Sequence, residues 1–130
     1  SVHIRRGDTL KYGVMATCAT EYFNRAITFM KERINSAVFF VFSDDIVWAK
    51  QNLEFGSEVH FVSFNKDENS YNDMRLMSLC KHNIIANSSF SWWGAWLNKN
   101  SDKMVIAPRK WFRDDNHDSS TVVPKRWQLL

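Results

Sequence analysis

Apolar residues along this chain come in short blocks that switch between two periods. Val2-His3-Ile4-Arg5 alternates apolar and polar positions and predicts a first strand, turned at Arg6-Gly7-Asp8-Thr9. Between about Ala16 and Arg33 the apolar residues Ala16, Phe23, Ala26, Ile27, Met30 and, just beyond, Ile34 recur at three to four after a wider first gap, which predicts a helix. Ala37-Val38-Phe39-Phe40-Val41-Phe42 is a continuous β-branched and aromatic run, the pattern of a strand buried on both faces. Ser43-Asp44-Asp45 ends it and caps a short helix to about Leu53. Val59 to Ser63 predicts a third strand and Asn65 to Ser70 a polar loop. Tyr71 to Lys81 predicts a helix with Met74, Leu76, Met77, Leu79 and Cys80 facing inward. Asn83-Ile84-Ile85-Ala86 contains a fourth strand, followed by a turn at Asn87-Ser88-Ser89 and a helix from Ser89 to about Asn98. Met104 to Ala107 is a fifth strand stopped by Pro108, and the tail from Arg113 to Leu130 is irregular.

Strands alternating with helices at short spacing imply right-handed βαβ units. The expected fold class is α/β, a Rossmann-like parallel sheet with flanking helices. The chain carries neither a G-x-G-x-x-G nor a G-x-x-x-x-G-K-[ST] motif, and it has only four glycines. Its 130 residues suit one domain, burying roughly two-thirds of the unfolded surface. Six tryptophans and ten phenylalanines imply a large aromatic core or an exposed aromatic face. A net charge of +3 favours anionic ligands mildly. Lys and Arg are scattered, so no nucleic-acid groove is indicated. Cys18 and Cys80 lie away from metal-ligand spacing and read as reduced, buried, structural thiols. No apolar run approaches the roughly 18–20 residues of a spanning helix. The chain begins in what reads as mid-strand, so we expect residues 1–130 to be one domain of a longer chain whose N-terminal part is missing, the part that the resemblance given below implies to be the acceptor side.

In an open α/β sheet, ligands bind beyond the carboxyl ends of the strands. Those ends carry His3-Ile4-Arg5-Arg6-Gly7-Asp8, Ser43-Asp44-Asp45, Asn87-Ser88-Ser89 and Ala107-Pro108-Arg109-Lys110-Trp111. Ser88 or Ser89 is a natural N-cap, and free amides with the helix dipole behind them make an anion site. Arg5 and Arg6 supply planar forks that suit a pyrophosphate. The bland alternative for the pair is a solvated strand end balanced by Asp8. His3 shares the face of Arg5. Carboxylates at Asp44 and Asp45 suit ribose hydroxyls or base edges, although a helix cap also explains both, and we expect no metal there. The set fits a nucleoside diphosphate. Trp92, Trp93 and Trp96 sit at helical spacing and are expected to be mostly core, and Gly94 implies close packing against a neighbour.

The chain resembles the α-1,2-fucosyltransferases of glycosyltransferase family 11, particularly the bacterial members. His3-Ile4-Arg5-Arg6-Gly7-Asp8 matches H-x-R-R-x-D, and Phe42-Ser43-Asp44-Asp45-Ile46-Val47-Trp48 is similar to F-S-D-D-x-x-W. The stretch from Asn72-Asp73-Met74 to Ala86-Asn87-Ser88-Ser89-Phe90-Ser91-Trp92-Trp93-Gly94-Ala95-Trp96 is the most specific part. The resemblance implies a GT-B-like C-terminal domain that binds GDP-fucose. It implies inverting transfer of L-fucose to the 2-hydroxyl of a galactose-terminated glycan, with no metal or other cofactor. It places Arg5 and Arg6 on the diphosphate with His3 beside them, Ser89 on a phosphate and Asp73 on the guanine edge. The base is not carried over: the matching position is Gly13, which leaves Asp8 and Glu21 as weak candidates. Another linkage, another GDP-sugar, or a non-catalytic nucleotide-binding module are the rival readings. Bacterial relatives imply a place in the cytoplasm or on the cytoplasmic face of the membrane, with peripheral association left open, and animal ones the Golgi lumen.

Overall fold

Six parallel strands form one sheet: β1 (Val2–Ile4), β2 (Phe39–Ser43), β3 (Val59–Val62), β4 (Asn83–Ile84), β5 (Val105–Ala107) and β6 (Gln128–Leu129). Among the described residues four α-helices lie between β1 and β5: α1 (Thr20–Lys31), α2 (Ile46–Asn52), α3 (Tyr71–Leu79) and α4 (Ser89–Trp96). The computed structural model describes residues 1–7, 16–65, 67–114 and 117–130. Strand order is β3-β2-β1-β4-β5-β6. The chain therefore winds outward to β3, returns past β1, and winds the other way from β4. That reversal leaves a crevice beyond the carboxyl ends of β1 and β4.

Strand alternation divides the core. Val2, Ile4, Phe39, Val41, Ile84 and Ile106 turn to one face and meet Phe23, Ala26, Ile27 and Met30 of α1 and Ala49 of α2. Phe42 and Val62 face the other way onto Met77 of α3, with Met74 and Phe90 against them. Ile85, Val105 and Ala107 pack with Ala95 of α4 and with Trp111, Val123 and Trp127. Gly94 allows α3 and α4 to close up, since a Cβ there would come 2.9 Å from Met77 Cε and 3.1 Å from Met77 Cβ.

The structure departs from the sequence expectations in four places. α1 starts at Thr20 because residues 16–19 serve the site instead: Ala16 donates its N–H to the Trp111 carbonyl and accepts from Asn87 Nδ2. β2 is not buried on both faces along its whole length: Phe42 is covered by α3, but Phe40 on the same face is 40% exposed and stacks on His60 at 5.1 Å. Of α3, Met77 is buried, whereas Leu79 is 71% exposed. Phe40, Phe42, Val62, Phe64, Leu76 and Leu79 line an apolar groove of about 830 Å3 on that side of the sheet. The tail is not irregular throughout: β6 pairs with β5, Ile106 opposite Gln128 and Ala107 opposite Leu129. Both cysteines are free thiols; Cys18 is buried and Cys80 half-buried. Among the described residues no helix is long and apolar enough to cross a membrane.

Candidate functional site

β1 ends directly in the Arg5-Arg6-Gly7 turn, which one carboxylate organises. Asp44, at the end of the neighbouring β2, accepts from the Arg6 N–H at Oδ1 (3.0 Å) and from the Gly7 N–H at Oδ2 (2.9 Å). The Arg5 guanidinium Nε lies 3.4 Å from Asp44 Oδ2. Gly7 permits this approach, because a Cβ there would stand 3.0 Å from that oxygen.

Asp45 does two other things. Its carboxylate accepts from the Trp48 N–H at 3.0 Å, capping α2, and lies 3.7 Å from Arg6 Nε. The Arg6 guanidinium carbon lies over the Trp48 ring, 3.9 Å from its centroid, a cation–π contact that helps hold the side chain. The adjacent arginines are thus each held by one of two adjacent aspartates. Sequence alternation sets Arg5 and Arg6 on opposite faces, and Arg6 does go to the Trp48 side, the face of Val2 and Ile4.

Across the crevice, β4 runs into α4. The register places Val2 opposite Ile84, and continuing it sets Arg5 level with Asn87. Asn87 is buried and spans the gap between segments: Nδ2 donates to the carbonyls of Ala16 and Trp111, and Oδ1 accepts from Cys18 Sγ at 3.2 Å. Tyr22 adds a brace, its hydroxyl donating to the Ile85 carbonyl at 2.7 Å. Ser88 is the N-cap of α4, but its side chain accepts from none of the first-turn amides. The expected hydroxyl cap is therefore absent, and Ser88 is extended ahead of the helix. This leaves the donor set of an anion site intact. Ser88 is half-buried and Ser89 exposed.

His3 ties the two sides together. Its Nδ1 meets Ser91 Oγ at 2.5 Å, and its ring lies 5.4 Å from that of Phe90. Burial, then the nearby Arg5 charge, holds its pKa down to about 3. His3 is therefore a neutral strut under the first turn of α4. The sequence pattern showed its face but not its partner, because nothing local links position 3 to position 91.

Asp73 lies in the first turn of α3, half-buried, and accepts from Asn65 Nδ2 at 2.7 Å. Burial raises its pKa, and the Asn65 donor opposes that rise. Glu21 is exposed in the first turn of α1. Asp8 and Gly13 lie outside the described residues, as does Asp115 of the polar loop that also holds Asp114, His117 and Asp118. There His117 Nδ1 pairs with Asp114 Oδ1 at 2.7 Å and Asp118 accepts from the Ser120 N–H. Among the described residues no group of three His, Cys, Asp or Glu side chains is arranged to hold a metal ion. Trp93 and Trp96 are 48% and 43% exposed, so the aromatic cluster of α4 is core at Trp92 and surface elsewhere. Trp48 and Asn65 are the site residues that sequence reasoning passed over.

A parallel sheet whose strand order reverses beside a paired-arginine turn and a helix start without a side-chain cap describes an α/β domain. Comparison with known proteins narrows this: glycosyl transferase family 11 matches residues 1–130, and the chain belongs to that family. It is 44% identical over 132 residues to an alpha-1,2-colitosyltransferase of Escherichia coli, an alignment covering 98% of this chain and 46% of that protein. It is 42% identical to the O-antigen biosynthesis glycosyltransferase WbnK of Escherichia coli, covering 94% of this chain and 42% of that one. To the human galactoside alpha-(1,2)-fucosyltransferase 1 it is 30% identical, over 74% of this chain and 28% of that protein. The chain thus spans less than half the length of these curated relatives. No solved structure matches it.

Proposed function

We propose that this chain is the donor-binding part of an inverting, metal-independent α-1,2-fucosyltransferase of GT-B-like architecture. It would move L-fucose from GDP-fucose to the 2-hydroxyl of a terminal galactose. The observation that carries the reading is the juxtaposition, at the point where strand order reverses, of the pinned Arg5-Arg6-Gly7 turn and the uncapped start of α4.

The chemistry follows from that geometry. As the acceptor oxygen attacks the anomeric carbon from the face opposite GDP, the bond to the β-phosphate breaks and negative charge grows on its oxygens. Arg5, Arg6, the α4 amides and the Ser89 hydroxyl are proposed to take up that charge. Asp44 and Asp45 serve by holding the arginines. Asp73 is proposed to accept from the guanine edge. A base for the acceptor hydroxyl is not assigned. We place the intact protein in the cytoplasm or on the cytoplasmic face of the membrane.

A second reading has specific support: the relative that is 44% identical is named a colitosyltransferase. Colitose lacks the 3-hydroxyl of fucose, so the two donors differ only in the sugar, away from the diphosphate grip. The test is to incubate the complete enzyme with each GDP-sugar and a galactose-terminated acceptor, and to determine the product linkage. Transfer of fucose to O2 of galactose supports the first reading. Colitose transfer alone replaces it with the second. A different linkage, or GDP binding with no transfer of either sugar, overturns both.

A further inference from the structure

At the carboxyl end of β3 the Asn65–Asp73 contact is not required by the diphosphate grip. Asn65 follows β3 by three residues and Asp73 sits in the opening turn of α3. Their 2.7 Å hydrogen bond joins the strand end to the helix start. We infer that Asn65 is a positioning residue for nucleobase recognition: it clamps one oxygen of Asp73 and so presents the other to the paired N–H donors of a guanine edge. The inference rests on the nucleoside-diphosphate reading above.

Three observations lead there. The first is location. All strands are parallel, so the end of β3 lies on the same edge of the sheet as the arginine turn. It is two strand spacings from β1, about 10 Å, a distance that a nucleoside bridges between its phosphate and its base edge. The second is orientation. Asp73 is in the first turn of its helix, where the dipole alone would stabilise a carboxylate in any rotamer. Asn65 selects one, and among the described residues it is the hydrogen-bond donor to that carboxylate.

The third is chemistry. An ionised carboxylate only accepts. Guanine presents N1–H and the 2-amino group side by side, two donors for one carboxylate. Adenine presents a lone pair at N1 on the equivalent edge, which repels it. Base choice therefore needs Asp73 both ionised and correctly turned. Burial works against the first requirement, and the Asn65 N–H opposes that rise in part. A helix-stabilising aspartate would need neither.

The test is calorimetric titration of the protein, as wild type, Asn65→Leu and Asn65→Ser, with GDP, ADP and inorganic pyrophosphate. Thermal melts verify that each variant is folded. Wild type should prefer GDP to ADP. In Asn65→Leu the GDP-to-ADP ratio should fall about tenfold, the loss of one charge-assisted donor, with pyrophosphate affinity unchanged. Asn65→Ser, which keeps a shorter donor, should fall in between. A folded Asn65→Leu with the wild-type ratio overturns the inference while leaving the nucleoside-diphosphate reading in place. Equal affinity of the wild type for GDP and pyrophosphate overturns that reading, and this inference with it.

Discussion

His3 Nδ1 and Ser91 Oγ, 88 positions apart, meet at 2.5 Å beneath the helix end that faces the crevice. The contact links β1 to α4 through a histidine held neutral by burial. Unfolding releases that ring to its ordinary pKa of 6.5, against about 3 when folded. The unfolded state then binds a proton that the folded state refuses across this window. Stability contributed by His3 is complete above pH 6.5 and is lost as pH falls toward 3, at up to about 1.4 kcal/mol per pH unit. His82, lowered mainly by burial, acts in the same direction. In denaturant titrations from pH 7 to 4, His3→Gln should flatten this slope by nearly one proton. An unchanged slope would mean the ring is not held neutral.

Asp44 is the pin of the arginine turn, bonded to two backbone N–H groups and close to Arg5. Asp44→Ala should cost only about 1 kcal/mol of stability, because the freed N–H groups sit in an exposed turn and reach water. GDP affinity should nonetheless fall about tenfold as the forks lose their orientation. Gly7→Ala should weaken binding in the same direction, since its methyl would push against Asp44 Oδ2 at 3.0 Å. Titration calorimetry beside thermal melts separates the two effects.

Trp92 and Trp93 are neighbours with opposite duties. Trp92 stacks on Trp96 at 4.9 Å, lies 5.6 Å from Trp127 and donates Nε1–H to the Val122 carbonyl at 2.9 Å. Trp92→Ala should cost about 3–5 kcal/mol. Trp93 is 48% exposed, and Trp93→Ala should leave the melting temperature within a few degrees. If Trp93→Ala still abolishes transfer in the complete enzyme, the exposed ring contacts a substrate.

Gly94→Ala tests the helix contact. Alanine favours a helix by about 1 kcal/mol over glycine, but here its Cβ meets Met77 Cβ at 3.1 Å, an atom fixed to the α3 backbone. Overpacking should prevail, with a net loss of about 1–2 kcal/mol. Shortening Met77 to Ala in the same chain removes the Cε that would stand 2.9 Å from the new methyl, and should make the double variant less destabilised than the sum of the two. Strict additivity in denaturant melts would deny the contact.

Strands and helices whose apolar residues carry a clear period were legible in the sequence: β1 to β5, α1 to α4 and the parallel winding all follow from it. What was not legible was set by distant partners. Phe40 looked buried by composition, yet the helix that follows β3 covers Phe42 and Val62 and leaves Phe40 to stack on His60. β6 spans two residues, Gln128–Leu129, too few to show a period. In the candidate site, Arg5, Arg6 and Ser89 stood out by type and position, and Asp73 through the family resemblance. Their supports, Trp48, Asn65, Ser91 and Asn87, are ordinary residues whose meaning lies in contacts the fold alone creates.

The central claim is that the β1–β4 crevice grips the diphosphate of a GDP-sugar through oriented guanidinium forks. Arg5→Lys in the complete enzyme tests it most directly, because the charge stays and only the fork is lost. The rate of fucosyl transfer at saturating acceptor should fall roughly 10²–10³-fold, with the thermal midpoint unchanged. Transfer at close to the wild-type rate would contradict the account.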